Sequence, residues 1–135
     1  MTSYHIRILH LEDNVANARL VEILLEEAGL FSFSLEQHQF IEDALKAFNP
    51  ESYDLILSDL NLPDCNGMET IERWRAAAPN LPLVISSGHD ETEMVVKAVE
   101  AGAHDYLISG GFNDGQGLAL RLLLAFLRKQ QQTQP

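Results

Sequence analysis

Short, almost wholly apolar runs alternate five times along this chain with stretches whose apolar residues recur at helical spacing. The runs occupy residues 6–11, 31–37, 55–58, 83–86 and 106–108, and they have the length and composition of buried strands. Ala18, Val21, Leu25 and Ala28 predict a first helix, which Gly29 stops. Residues 41–48 predict a second, ending before Asn49-Pro50. Ile71, Trp74 and Ala78 mark a third before Pro79, and Val95, Ala98 and Val99 a fourth before Gly102. Residues 117–129 predict a fifth. Such alternation with short connections implies one parallel sheet with helices on both faces. The expected domain covers residues 4–129, and residues 130–135 read as a polar tail or linker.

Two of the apolar runs end abruptly in carboxylates. Asp59 closes the third, in Leu-Ser-Asp-Leu-Asn-Leu-Pro-Asp, and Glu12 and Asp13 follow the first. Open α/β sheets present their working groups at the carboxyl ends of strands. If the first and third strands are neighbours, three carboxylates meet at one edge. That arrangement implies a divalent cation and phosphate chemistry.

Composition narrows the picture. The 135 residues carry a formal charge of -11, which argues against a nucleic-acid-binding surface. The single Cys65 excludes an internal disulfide and fits a reducing compartment. No apolar run approaches the ~20 residues of a membrane span, and no signal-peptide pattern is seen. The expectation is a cytoplasmic protein that engages neither membrane nor nucleic acid.

The motifs, taken together, resemble the receiver domains of two-component response regulators over almost the whole chain, about residues 4–128. Leu11-Glu12-Asp13-Asn14 resembles the acidic pair, and Asp59 followed by Asn66-Gly67-Met68-Glu69 resembles the phosphoacceptor loop. Pro82 to Asp90 resembles the fourth strand, with Ser87 at the hydroxyl position. Ala101 to Leu107 resembles the approach to the fifth, with Tyr106 at the switch position. The resemblance implies a flavodoxin-like (βα)5 sandwich with strands in the order 2-1-3-4-5. It also implies that Asp59 accepts a phosphoryl group with Mg²⁺. Asp13, Asp59 and the backbone carbonyl of Asn61 would ligate the ion, with Glu12 acting through water. Ser87 would bond a phosphoryl oxygen and Tyr106 would change rotamer in response. Implied partners are a sensor histidine kinase or phosphotransfer protein, and a second copy on the face formed by the fourth helix, fifth strand and fifth helix. Leu120, Leu124 and Leu127 form an apolar row suited to that contact, opposite a core-facing row of Ala119, Leu122, Leu123 and Phe126.

One departure stands against these matches. Where the family carries a lysine after the fifth strand, this chain has Ser109, followed by Gly110-Gly111. Serine offers a hydrogen bond but no charge. The expected function is therefore a receiver with altered phosphorylation coupling. The alternative is a phosphate-independent interaction module. A Mg²⁺-dependent phosphohydrolase ranks last, because that class has a second aspartate where Asn61 stands. Rossmann dinucleotide binding is less favoured still, for want of its glycine pattern.

The remaining candidates have plainer readings. Glu12 and Asp13 would also suit a helix N-terminus. Asp64 reads as a turn residue, Trp74 as packing, His10 as a packed strand residue and Cys65 as chemically silent. His5, His38 and His104 read as structural or exposed. His89, two residues beyond Ser87, faces the phosphoryl site by resemblance, although a solvated loop histidine is the stronger reading.

Overall fold

The computed structural model describes residues 4–88, 92–108 and 115–132. Its elements run β1 (His5–Leu11), α1 (Val15–Ala28), β2 (Ser32–His38), α2 (Ile41–Ala47), β3 (Leu55–Asp59), α3 (Met68–Ala77), β4 (Leu83–Ser87), α4 (Thr92–Glu100), β5 (Asp105–Ile108) and α5 (Gly115–Gln132). A 3₁₀ turn, Pro50–Ser52, precedes β3 and is absent from the hydropathy pattern. The Asn49 side chain starts it by accepting the Glu51 N–H at 3.0 Å.

The strands form one parallel sheet in the order β2-β1-β3-β4-β5. This is the flavodoxin-like arrangement expected. Successive strand residues face opposite sides, so the apolar run of β1 feeds two cores. Ile6 and Ile8 join Leu55, Leu57 and Val84 under α1 and α5; Leu9 and Leu11 join Ile56, Leu83 and Ile85 under α2, α3 and α4. That two-sided burial explains why β1, β3 and β4 read as continuous apolar runs. β2 lies at the sheet edge and alternates between exposed and half-buried positions.

Two expectations for α5 are corrected. The helix is longer at both ends than residues 117–129, and Gln130 to Gln132 are helical. At its start Gly115 packs so closely on α1 that a Cβ would lie 2.2 Å from the Leu24 carbonyl oxygen. Gln116 there donates to the Ala28 carbonyl at 3.2 Å. At its end the glutamines continue readily, since glutamine is a good helix former. The apolar rows also differ from the pattern. Ala119, Leu122 and Phe126 are buried, and Leu120 and Leu124 are 49% and 37% exposed. Leu127, expected beside them, is half-buried against the second core.

Candidate functional site

The order in which the parallel strands are added to the sheet reverses between β1 and β3, so their carboxyl ends flank the cleft of the sheet. Glu12 follows β1 and is fastened to β2. Its N–H donates to the His38 carbonyl at 3.0 Å, and its own carbonyl accepts Gln37 Nε2 at 2.7 Å. Its carboxylate accepts the Asn14 N–H at 3.2 Å, and Asn14 caps α1 by accepting the Asn17 N–H at 3.1 Å. Neither acid therefore serves as the N-cap. Asp59 ends β3 opposite Ser86 of β4, and the next N–H, of Leu60, donates to the Ser86 carbonyl at 3.0 Å.

These elements bring Glu12, Asp13 and Asp59 together. One carboxylate oxygen from each lies within 4.8 Å of the others, with Glu12 buried, Asp59 half-buried and Asp13 exposed. Burial pushes the Glu12 carboxyl up to about 7, with the charges of Asp59 and Asp13 adding to the rise. Burial also raises Asp59, and the Asp13 charge contributes. The Asn61 N–H, donating to Asp59 Oδ1 at 3.3 Å, works in the opposite direction. Buried carboxylates packed side by side favour a neighbour of opposite charge. Such hard oxygen donors, raised by crowding and burial, fit Mg²⁺, which takes oxygen ligands and keeps several waters.

Two further residues singled out in the sequence lie on the neighbouring strands β4 and β5. Ser87 is fully buried at the end of β4 opposite Ile108, and Tyr106 is buried in the core opposite Ile85. Ser109 and His89 lie outside the described residues.

Three contributions were not read from the sequence. The Asn61 side chain accepts the Gly67 N–H at 3.2 Å. Thr70 is wholly buried and donates from Oγ1 to the Leu60 carbonyl at 2.8 Å. Asp64, beyond its turn, accepts two N–H groups at the start of α2. A signal for the last existed: Phe40 stands at the N-cap of α2 and makes no side-chain cap.

Trp74 and His10 are packed, as their plainer readings have it. Trp74 is fully buried in the core, and His10 is 1% exposed, its imidazole pushed down to about 4 by burial. Cys65 is buried, and Leu62 and Cys65 bridge the loop after Asp59. Among the described residues no helix is long and apolar enough to cross a membrane.

Residues 8–109 match the family model of the response regulator receiver domain. The cell cycle transcriptional regulator CtrA of Caulobacter vibrioides is 37% identical over 101 residues, covering 75% of this chain and 42% of that protein. The swarming motility regulation protein RssB of Serratia marcescens is 36% identical over 100 residues, covering 74% of this chain and 44% of that protein. The chain thus spans less than half the length of these relatives. Among solved structures, NtrX from Brucella abortus superposes with a TM-score of 0.81 at 24% identity, over 96% of this chain and 29% of that one. A response regulator receiver domain protein from Clostridium thermocellum does so with 0.80 at 23% identity, over 95% and 99%. With the acidic triad at the carboxyl ends of β1 and β3 and the 2-1-3-4-5 sheet, these matches carry one conclusion: the chain belongs to the response regulator receiver domain family of two-component signalling.

Proposed function

We propose that this receiver accepts a phosphoryl group on Asp59 and answers by remodelling the face formed by α4, β5 and α5. The observation that carries the reading is the convergence of Glu12, Asp13 and Asp59 within 4.8 Å. The donor would be a phosphohistidine on a sensor kinase or phosphotransfer protein. As the P–N bond of the donor breaks, an Asp59 oxygen forms the new O–P bond, giving an acyl phosphate. Asp13, Asp59 and the Asn61 carbonyl would hold Mg²⁺ directly, and Glu12 through water. Bound there, Mg²⁺ would supply positive charge against the incoming phosphoryl oxygens. Ser87 would bond one of those oxygens, and Tyr106 would follow by changing rotamer. Under this reading the chain works in the cytoplasm as a signalling domain, at most catalysing its own phosphorylation and dephosphorylation.

The responding face carries exposed apolar residues. Val96 and Val99 of α4, Ile108 of β5, and Leu120 and Leu124 of α5 are between 37% and 50% exposed. Such a set suits a second copy of the chain or an output partner. Arg121 of α5 braces it by a two-pronged pair to Asp105 of β5, at 2.9 and 2.7 Å.

Ser109 favours a second reading, an interaction module that ignores phosphate. Without the ammonium, one charge-assisted contact to the phosphoryl group is lost. Titration with beryllofluoride, an acyl-phosphate mimic, separates the two. In the presence of Mg²⁺ we expect an incomplete amide-shift response at Ser87 and Tyr106, enlarged in Ser109→Lys. No response in either protein would favour the second reading.

A further inference from the structure

The loop from Asp59 to Gly67 is closed by bonds that converge on two peptide groups. Gly67 has φ 62° and ψ -138°, a positive-φ conformation that favours glycine. Its N–H is shared between the Leu60 carbonyl at 3.1 Å and the Asn61 carboxamide oxygen at 3.2 Å. The Leu60 carbonyl also receives Thr70 Oγ1 at 2.8 Å, so both its lone pairs are engaged. One residue on, the Leu62 N–H donates to the Cys65 carbonyl at 2.8 Å. In a trans peptide the carbonyl points opposite to the N–H of the same unit. The Leu62 bond therefore turns the Asn61 carbonyl away from the interior of the loop. The carboxamide of the same residue fixes the Cα from which that carbonyl projects.

We infer that the Asn61 side chain is a positioning group for the cation, clasping Gly67 so that the Asn61 carbonyl is held ready at the acidic cluster. This rests on the metal site proposed above. The side chain does not touch the ion; it acts through the backbone of its own residue. Backbone ligands cannot be replaced by rotamer adjustment, so a loosened loop loses affinity directly. Because Asn61 is exposed, replacing it leaves no buried cavity, and a change in binding is separable from a loss of fold.

The test uses the whole chain, with amide exchange in the absence of metal and Mg²⁺ titration by amide chemical shifts. In Asn61→Ala, Gly67 exchange should rise and Mg²⁺ affinity should fall, each by roughly three- to tenfold, the range of one neutral hydrogen bond. Asn61→Asp keeps an acceptor at that position and should restore the protection of Gly67. Unchanged Gly67 exchange in Asn61→Ala would overturn the clasp. Faster exchange with unaltered Mg²⁺ affinity would overturn the positioning role and leave the metal site standing. A wild type that shows no Mg²⁺ shifts, with the clasp intact by exchange, would sink the metal site itself and the positioning role with it.

Discussion

The carboxylate of Asp64 accepts the backbone N–H of Ile41 at 3.0 Å, and its other oxygen takes the N–H of Glu42 at the same distance. A helix N-terminus leaves such groups unsatisfied and carries a partial positive charge. Here the cap comes from the loop that follows Asp59, so α2 and the acceptor loop are tied together. Glu42 and Arg73 add an ion pair between α2 and α3. Asp64→Ala should destabilise the fold by about 1 kcal/mol, the usual cost of a lost cap. Asp64→Asn should cost less, because its oxygen still accepts. Urea midpoints at constant slope would check both, and equal stability of wild type and Asp64→Ala would remove the cap from the account.

His104 gives a dependence on pH. Its ring Nδ1 accepts the Leu83 N–H at 3.0 Å, which requires the neutral ring, while the His104 backbone N–H donates to the Leu83 carbonyl at 2.7 Å. Burial holds the imidazole below its ordinary value of 6.5, and the charges of Arg75 and Lys129 push the same way. The unfolded chain then binds the proton more readily, so this stabilisation is present above about pH 6.5 and is lost as pH falls towards the folded pKa. His104→Asn keeps an acceptor without titrating there. Its urea midpoint should fall less than that of wild type between pH 7.5 and about 5. The contributions of His10, which is lowered, and Glu12, which is raised, are common to both proteins and cancel in the difference. Parallel curves would show that His104 does not contribute.

Leu120 and Leu124 supply the prediction for partners. Both are exposed on α5, on either side of Arg121 in sequence. Leu124→Glu should give a folded protein that sediments as a monomer at concentrations where wild type is dimeric. Leu127→Glu should instead lower stability, since Leu127 packs against the core beneath α5. A wild type that remains monomeric at high concentration would defeat the homodimer.

The hydropathy pattern carried β1, β3 and β4 because they are buried on both faces, and α1 because its stripe ends at a glycine in the left-handed region. Glu12, Asp13 and Asp59 were legible as strand-end acids, and their convergence followed once β1 and β3 were taken as neighbours. Phe40 at the N-cap of α2 signals that a cap must come from elsewhere, but not that Asp64 supplies it, since its partners lie 22 and 23 residues away and no local spacing records them. The Asn61 clasp escaped for a related reason. It depends on the conformation of Gly67, and the sequence shows only that a glycine is there. Leu127 is half-buried against the second core and not exposed beside Leu120 and Leu124, because helical spacing gives the angular position of a residue but not how far the neighbouring core extends. There Tyr4 packs edge-on against Phe126, with ring centroids 5.9 Å apart.

The claim that Asp59 is a working phosphoacceptor is tested most directly by intact mass after incubation with acetyl phosphate and Mg²⁺. We expect a single phosphoryl increment on wild type, lost in Asp59→Asn and strongly reduced in Asp13→Asn. No increment on wild type, or one that persists in Asp59→Asn, would contradict it.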